Sequence, residues 1–231
     1  MPVRPLVIAH RGASAEAVEN TLTAFRLAHE RGADAVELDV HATADGALVV
    51  HHDEMIGPHH VAHCSLQEGR SHLLADGHPA PTLEEALAVI HHHRMTAFIE
   101  LKSLAPKWDD RLLDALAKSP SPDRLAIHSF DHRIIHRLGQ KQDDLARGVL
   151  STSYPVYPAR VMADADADTL WQIWRQVDEA LVAQVHEARG LVFAWTVDDP
   201  HHMQRLLETG VDGVCTNHPE RARRTVDSLP S

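Results

Sequence analysis

Side chains that could do chemistry stand at or near the ends of apolar, β-rich stretches of this sequence. Histidines and carboxylates can move protons or bind a metal, and arginine and lysine can bind an anion. The candidates are His10, Arg11, Glu37, Asp39, His52, Asp53, Glu100, Lys102, Ser129 and Trp195. If these stretches are neighbouring strands of a parallel barrel, their ends meet on one rim and form a binding site.

Glu37 and Asp39 form the clearest pattern, in the stretch AVELDV. Residues two apart on a strand face the same side, so the two carboxylates repel each other unless a cation lies between them. A hard divalent cation such as Mg²⁺ or Ca²⁺ prefers oxygen ligands of this kind, and Glu100 in FIELKS would add a third oxygen donor. The alternatives are that the carboxylates are solvated at a strand edge, or that they pair with Arg11 and Lys102.

His10 and His52 are the candidate acid–base pair, because imidazole titrates near neutrality and can pass a proton either way. Each is also compatible with a purely structural role. Arg11 and Lys102 supply fixed positive charge of the kind that binds a phosphate diester. Trp195 is the candidate for a further contact with the substrate.

Two local pairings stay open at this point. Arg11 can form a salt bridge with Glu19 or Glu37, and this role is compatible with binding an anion as well. Asp53 either orients His52 or only begins the next segment.

Apolar stretches alternate with helix-period stretches along the whole chain. We predict strands at residues 6–9, 35–40, 97–101, 125–129, 147–151, 168–173, 191–196 and 213–215. Between them lie amphipathic helical segments, and Thr82 and Glu85 have the spacing of a capping box. Eight such units predict an α/β fold, a single (β/α)8 TIM barrel. A doubly wound open sheet is the structural alternative.

Residues 41–81 interrupt this alternation. The segment HATADGALVVHHD predicts a hairpin that turns at Asp45-Gly46. Residues 54–80 are polar, turn-rich and without a clear period, so we predict a short insertion after the second strand, lying over the barrel mouth. Because no Pro/Gly/Ser-rich linker divides the chain, we expect residues 1–231 to be a single catalytic domain.

Composition narrows the classes of partner and compartment. The net charge of −11 argues against broad binding to nucleic acid or to anionic membranes. No apolar run is long enough to span a bilayer, and the first residues lack a secretory signal pattern, so we expect no stable membrane anchor. Two widely separated cysteines, Cys64 and Cys215, fit a reducing cytoplasm. The 20 histidines indicate either a metal buffer or, because their clusters are scattered, a solvated surface.

The stretch HRGASAEAVENTLTAFRLAHERGADAVELDVHATADGALVVHHD resembles the opening signature of the glycerophosphodiester phosphodiesterase family. Later blocks, namely PTLEEAL, IELK, SF and WTVDDPHHMQRLLETGVDGVCTNHP, resemble the same family, so the similarity covers nearly the whole chain. The histidine next to Asp53 in HHD is His52, which makes it the match to the family's HD.

The resemblance implies a TIM barrel that hydrolyses glycerophosphodiesters to glycerol 3-phosphate and an alcohol. By matching positions, it implies that His10 and His52 are general acid and base. It implies that Arg11 and Lys102 bind the phosphate. A divalent cation, Mg²⁺ or Ca²⁺, would be held by Glu37, Asp39 and Glu100. In the mechanism usually proposed for such enzymes, a neighbouring glycerol hydroxyl attacks phosphorus, and water then opens the cyclic phosphate.

Two departures from the family pattern affect specificity. The segment HHDEMIGPHHVAHC lacks the family's Arg-Thr-Thr and glycine pair, and CTNHP replaces the more usual TDxP. Three alternatives follow: a lysophospholipase D-type phosphodiesterase, a barrel that binds phosphodiesters without cleaving them, and a histidine-rich metal-binding protein. The preferred alcohol head group, the metal and the oligomeric state are not specified by these residues.

Overall fold

The chain forms a closed barrel of eight parallel strands in a computed structural model that describes residues 4–229. In chain order the strands are β1 (Leu6–His10), β2 (Ala35–Ala42), β3 (Leu48–Val50), β4 (Met55–Ile56), β5 (His59–His60), β6 (Thr96–Ser103), β7 (Leu125–Ser129), β8 (Ala146–Ser151), β9 (Thr169–Ile173), β10 (Leu191–Trp195) and β11 (Gly213–Thr216). The parallel ladder runs β2-β6-β7-β8-β9-β10-β11-β1 and closes because β1 also pairs with β2. This confirms the TIM barrel and excludes the open sheet. Every predicted strand matches a barrel strand to within two residues at each end.

Helices cover the outside of the barrel. In the described part of the chain they are α1 (Leu22–Glu30), α2 (Leu66–Ser71), α3 (Leu83–His92), α4 (Asp109–Ala117), α5 (His132–Gly139), α6 (Pro158–Asp164), α7 (Glu179–Glu187), α8 (Pro200–Thr209) and α9 (Pro219–Asp227). The expected capping box begins α3, where Thr82 Oγ1 accepts from the Glu85 N–H and the Glu85 carboxylate accepts from the Thr82 N–H. None of these helices combines the length and apolar character needed to cross a membrane.

Strand alternation separates the two faces of β2 as the sequence pattern predicts. Val36, Leu38 and Val40 belong to the large apolar cluster between the strands and the helices. Ala35 belongs instead to a second cluster inside the barrel, together with Trp171 and other side chains. Because side chains on a strand alternate, Glu37 and Asp39 share the interior side with Ala35. The barrel interior is therefore apolar at one end and charged at the other.

Residues 41–80 extend the barrel at the carboxyl end of β2. Strand β3 pairs antiparallel with the end of β2 through the expected turn, where Gly46 takes a positive φ of 81°. The following segment has more regular structure than its sequence indicates: β4 and β5 form a two-stranded sheet, and α2 begins with a capping box at Ser65 and Glu68. A small apolar core holds this segment. Its place over the mouth, and the assignment of residues 1–231 to one domain, stay predictions.

Candidate active site

Glu37 and Glu100 lie inside the barrel on adjacent strands, and both are buried. Register pairs Glu37 with Phe98 and Asp39 with Glu100 across β2 and β6, which brings the three carboxylates together. Burial, reinforced by the charge of Asp39, raises the pKa of Glu37 to about 7. Burial and the charges of Asp39 and Glu37 likewise raise the pKa of Glu100 to about 7. The two carboxyl groups thus retain protons near neutrality unless further positive charge arrives.

Asp39 has a different environment, although its side chain is fully buried. Its Oδ2 atom lies 3.0 Å from Arg11 Nε and accepts a hydrogen bond of 2.8 Å from Asn20 Nδ2, while Lys102 Nζ lies 3.6 Å from Oδ1. Burial alone would raise the pKa of Asp39, but Arg11, Lys102 and Asn20 outweigh it and lower that pKa. The alternative pairing with Arg11 and Lys102 is therefore present. Metal binding by Asp39 stays a prediction.

His128 on β7 is a site residue that the sequence analysis missed. It is the register partner of Glu100, so it faces the interior, and its Nε2 atom lies 3.8 Å from Glu37 Oε1. Burial lowers the pKa of His128 to about 4, which leaves the imidazole neutral at ordinary pH. Ser129, the neighbour named from the sequence, faces the other way and donates to the Leu101 carbonyl.

A chain of hydrogen bonds fixes the ring of His10. Asp198 accepts from Asn217 Nδ2 at 2.7 Å and from the Asn217 backbone N–H at 2.8 Å. Since the amide nitrogen of Asn217 donates to this carboxylate, its Oδ1 atom faces His10 Nδ1 at 2.7 Å. An amide oxygen can only accept, so His10 carries its proton on Nδ1 when neutral, and Nε2 is free to accept a proton.

His52 is held in a similar way. Its Nδ1 atom lies 2.8 Å from Asp53 Oδ1, and a carboxylate only accepts, so Nδ1 is the donor and Nε2 is again free. The hydrogen bond to His52 lowers the pKa of Asp53. Of the two interpretations of Asp53 left open by the sequence, the structure shows the contact with His52 that the first one requires. His51 points elsewhere, with its Nε2 atom 3.0 Å from the Met55 carbonyl.

Arg11 and Lys102 line the pocket beside these groups. Arg11 has a positive φ of 56°, and its Nη1 atom donates to both carboxylate oxygens of Glu19 at 3.0 and 3.1 Å. The expected pairing of Arg11 with Glu19 is thus confirmed. Lys102 Nζ lies 2.9 Å from Glu100 Oε1.

These side chains surround one pocket at the carboxyl ends of the strands. His10, Arg11, Glu37, His52, Glu100, Lys102 and Trp195 line it, together with His128, Phe130, Leu150, Trp171 and Cys215. Trp195 packs edge-to-face on Phe130, with ring centroids 5.5 Å apart. Asp39 lies behind Arg11 and Lys102 rather than on the pocket wall.

One group of side chains in the described residues has donor atoms spaced for a metal ion. Single atoms of Glu37, Glu100 and His128 all lie within 4.8 Å of one another, and all three residues are buried. A divalent cation would displace the protons of the two buried carboxyl groups and compensate their negative charge. The residues therefore fit such a cation.

Of the predicted catalytic, substrate-binding and metal-binding residues, Asp39 alone does not line the pocket, and the strand-end residue Ser129 faces away from it. The sequence did not indicate the partners that orient these side chains, which are Asn20, Asp198 and Asn217. Asn20 directly precedes Thr21, which caps α1, and its side chain binds Asp39. Asn20 lies within the stretch that resembles the opening signature of the family, and that resemblance was the signal that could have indicated it.

Fold and site together define a TIM-barrel enzyme, with reactive side chains gathered at the carboxyl ends of its strands. The chain matches the model of the Glycerophosphoryl diester phosphodiesterase family over residues 10–221. It therefore belongs to that family.

Individual relatives match this chain along nearly their full length. The glycerophosphodiester phosphodiesterase of Caldanaerobacter subterraneus is 34% identical, with 94% of this chain and 96% of that protein covered. An Oleispira antarctica phosphodiesterase, solved in complex with the product sn-glycerol-3-phosphate, is 27% identical with a TM-score of 0.88, covering 97% of each chain. The glycerophosphodiester phosphodiesterase of Thermotoga maritima is 26% identical with a TM-score of 0.79, covering 95% of this chain and 97% of that one.

In metal-free protein the contribution of Glu37 to stability should fall as pH rises, because Glu37 holds its proton more tightly when folded. Its pKa of about 7 in the fold exceeds the value of about 4.3 in an unfolded chain. The stabilising contribution is fully present below the unfolded pKa and is lost as pH rises through the folded pKa. We expect the unfolding free energy of Glu37→Gln, relative to wild type, to rise by on the order of 1–3 kcal/mol between about pH 5 and pH 8.

Denaturant titrations with a chelator present, at constant ionic strength, measure this difference. Glu187→Gln, at an exposed position on α7, is the control and should give a difference that does not change with pH. A pH-independent difference for Glu37→Gln would contradict the uncompensated burial of this carboxyl group.

Proposed function

We propose that this protein is a metal-dependent phosphodiesterase that hydrolyses glycerophosphodiesters to glycerol 3-phosphate and an alcohol. One observation carries the proposal: His10 and His52 line the same pocket, and each has Nδ1 tied to an acceptor and Nε2 free. Two imidazoles in this state can divide the proton transfers of a displacement at phosphorus. The family membership, and the product complex of the Oleispira antarctica relative, support the substrate class.

His10 and His52 are proposed to carry out the proton transfers of the reaction. In the first step a neighbouring glycerol hydroxyl attacks phosphorus, and the free Nε2 of one imidazole takes its proton as the new P–O bond forms. Nε2 of the other, protonated imidazole gives a proton to the alcohol oxygen as its P–O bond breaks, which leaves a cyclic phosphate. In the second step this second imidazole takes a proton from the water that attacks phosphorus, and the first imidazole returns its proton to the glycerol oxygen that leaves, which gives glycerol 3-phosphate. Asp53 and Asn217 keep the two rings oriented through Nδ1 during both steps.

Arg11 and Lys102 are the proposed phosphate ligands. The guanidinium of Arg11 contacts Glu19 on its exposed side and Asp39 on its buried side. Glu19 is the more exposed partner, so a phosphate can displace it while Asp39 continues to orient the guanidinium. Both cations then face the negative charge that grows on the phosphoryl oxygens.

Glu37 and Glu100 are the proposed cation ligands, and Asp39 is retained as a predicted one. A bound Mg²⁺ or Ca²⁺ would act as a Lewis acid on a phosphoryl oxygen. Trp195 is proposed to contact the substrate, because its side chain lines the pocket. We keep the cytoplasmic location and a small-molecule partner as predictions, which the free thiols Cys64 and Cys215 and the net charge of −11 support.

Hydrolysis of glycerophosphocholine tests the proposal. We expect release of glycerol 3-phosphate that EDTA abolishes and added divalent cation restores. His10→Ala, His52→Ala and Glu37→Ala should each lower kcat/KM by at least about 100-fold, the lower end of what acid–base catalysis contributes. His51→Ala is the matched control and should retain activity, because that ring contacts the Met55 carbonyl rather than the pocket.

Three results would contradict the proposal. They are activity that EDTA leaves intact, activity undiminished in His10→Ala and Glu37→Ala, and no turnover across a panel of glycerophosphodiesters by folded, metal-loaded protein. The last result favours a barrel that only binds phosphodiesters or metal.

Asp198→Asn should reverse the orientation of the Asn217 amide and with it the tautomer of His10. Without a carboxylate to accept from Nδ2, the amide can turn this nitrogen toward His10, whose Nδ1 must then accept. We expect kcat/KM to fall by about 10- to 100-fold, a part of the acid–base contribution. NMR shifts of the imidazole nitrogens report the tautomer directly.

Asp199→Asn is the neighbouring control. Asp199 caps α8 through the His201 and His202 N–H groups, so this change should alter stability without altering the His10 tautomer. An unchanged His10 tautomer in Asp198→Asn contradicts the positioning role of Asn217.

A further inference from the structure

We propose that His128 is a nitrogen ligand to the cation held by Glu37 and Glu100, and that it gives this site a preference for Mn²⁺ over Mg²⁺. The inference rests on the proposed function in that the function requires a divalent cation. It adds an imidazole nitrogen to the oxygen ligands expected from the sequence.

Strand register brings His128 to the carboxylates. Strands β6 and β7 run parallel with Glu100 opposite His128, so the two side chains share the interior face of the barrel. Glu37 approaches from the other side, with its Oε1 atom 3.8 Å from His128 Nε2. One donor atom from each residue lies within 4.8 Å of the others, which leaves a cation room to bind all three.

The imidazole of His128 is fixed by packing rather than by hydrogen bonds. It stacks on the indole of Trp171, with ring centroids 4.3 Å apart and an interplanar angle of 11°. Gly148 makes space for this stack, because a Cβ atom there would lie 2.8 Å from Trp171 Cδ1 and 3.3 Å from His128 Cβ. A rigid ring loses little freedom when it binds a metal.

Hydrogen bonding does not account for the burial of this histidine. Nδ1 has no hydrogen-bond partner in the part of the chain that the structure describes, and the 3.8 Å separation from Glu37 is too long for a hydrogen bond from Nε2. Buried polar side-chain atoms nearly always have a partner. A metal ion bound to Nε2 would give the nitrogen that faces Glu37 a partner and would neutralise both carboxylates at once.

Asp39 is less available for the same place in the ligand set. Arg11, Lys102 and Asn20 all contact its carboxylate, and a cation would have to compete with two positive charges for it. His128 is neutral and has no such competitor. Carboxylate oxygens suit Mg²⁺, Ca²⁺ and Mn²⁺ alike, whereas an imidazole nitrogen is a ligand for first-row transition metals. Of these three cations only Mn²⁺ is a transition metal, so the nitrogen shifts the preference of the site from Mg²⁺ toward Mn²⁺.

Pulsed EPR of the apo-protein loaded with Mn²⁺ tests the nitrogen ligand directly. We expect electron spin-echo modulation from a coordinated imidazole in wild type, and its loss in His128→Phe, which keeps an aromatic ring on Trp171. The modulation should also change when the protein is made with nitrogen-15 histidine. Glu37→Gln should weaken Mn²⁺ binding, which identifies the signal with this site rather than with a surface histidine.

Calorimetric titrations with Mn²⁺ and Mg²⁺ separately test the preference. In His128→Gln we expect Mn²⁺ affinity to fall at least about tenfold, since even indirect partners of a metal site cost 10- to 100-fold, and Mg²⁺ affinity to fall less. His186→Gln, on α7 beside Asp212, is the control and should change neither. Circular dichroism confirms that each variant is folded, and the wild-type EPR signal tests the ligand even if a His128 variant is not.

The inference is overturned by the absence of imidazole modulation in wild type, by its persistence in His128→Phe, or by equal losses of Mn²⁺ and Mg²⁺ affinity in His128→Gln. These outcomes are independent of turnover. Hydrolysis supported by a cation without a nitrogen ligand would leave the proposed function standing, while nitrogen-ligated Mn²⁺ without hydrolysis would leave only the metal site.

Discussion

Three carboxyl groups buried together inside one end of the barrel are the constraint on which the site depends. Glu37, Asp39 and Glu100 share this interior, and like charges at such distances cannot all ionise near neutrality without compensation. Asp39 is compensated within the chain by Arg11 and Lys102, and its pKa falls. Glu37 and Glu100 are not fully compensated, and their pKa values rise to about 7. The difference separates an anion that is already paired within the chain from two groups suited to an added cation.

Neighbouring features follow from that division. Asp39 contacts the guanidinium of Arg11 on its buried side and Glu19 contacts it on its exposed side, so these two carboxylates hold it at the pocket. Each histidine of the pocket is oriented by a different acceptor, an amide for His10 and a carboxylate for His52. The neutral amide of Asn217 lies between the carboxylate of Asp198 and the imidazole of His10, so this carboxylate does not contact the ring directly.

Much of this architecture could be predicted from the sequence because it depends on local patterns. Apolar runs located the barrel strands, a spacing of two placed Glu37 and Asp39 on one side, and Thr82 with Glu85 marked the start of α3. His128 could not be found that way, because the inward parity of β7 is set by its register with β6. The strand-end rule favoured Ser129, which faces the helices. Asp198 and Asn217 lie in two loops that are 19 residues apart along the chain. Only the folded barrel brings them to His10.

The most direct test of the account is a crystal structure of the protein with glycerol 3-phosphate and a divalent cation. The account predicts a phosphate that contacts Arg11 and Lys102 and lies within hydrogen-bond distance of Nε2 of both His10 and His52, with the cation on Glu37 and Glu100. A phosphate bound outside this pocket, or one within it that neither histidine can reach, would contradict the account.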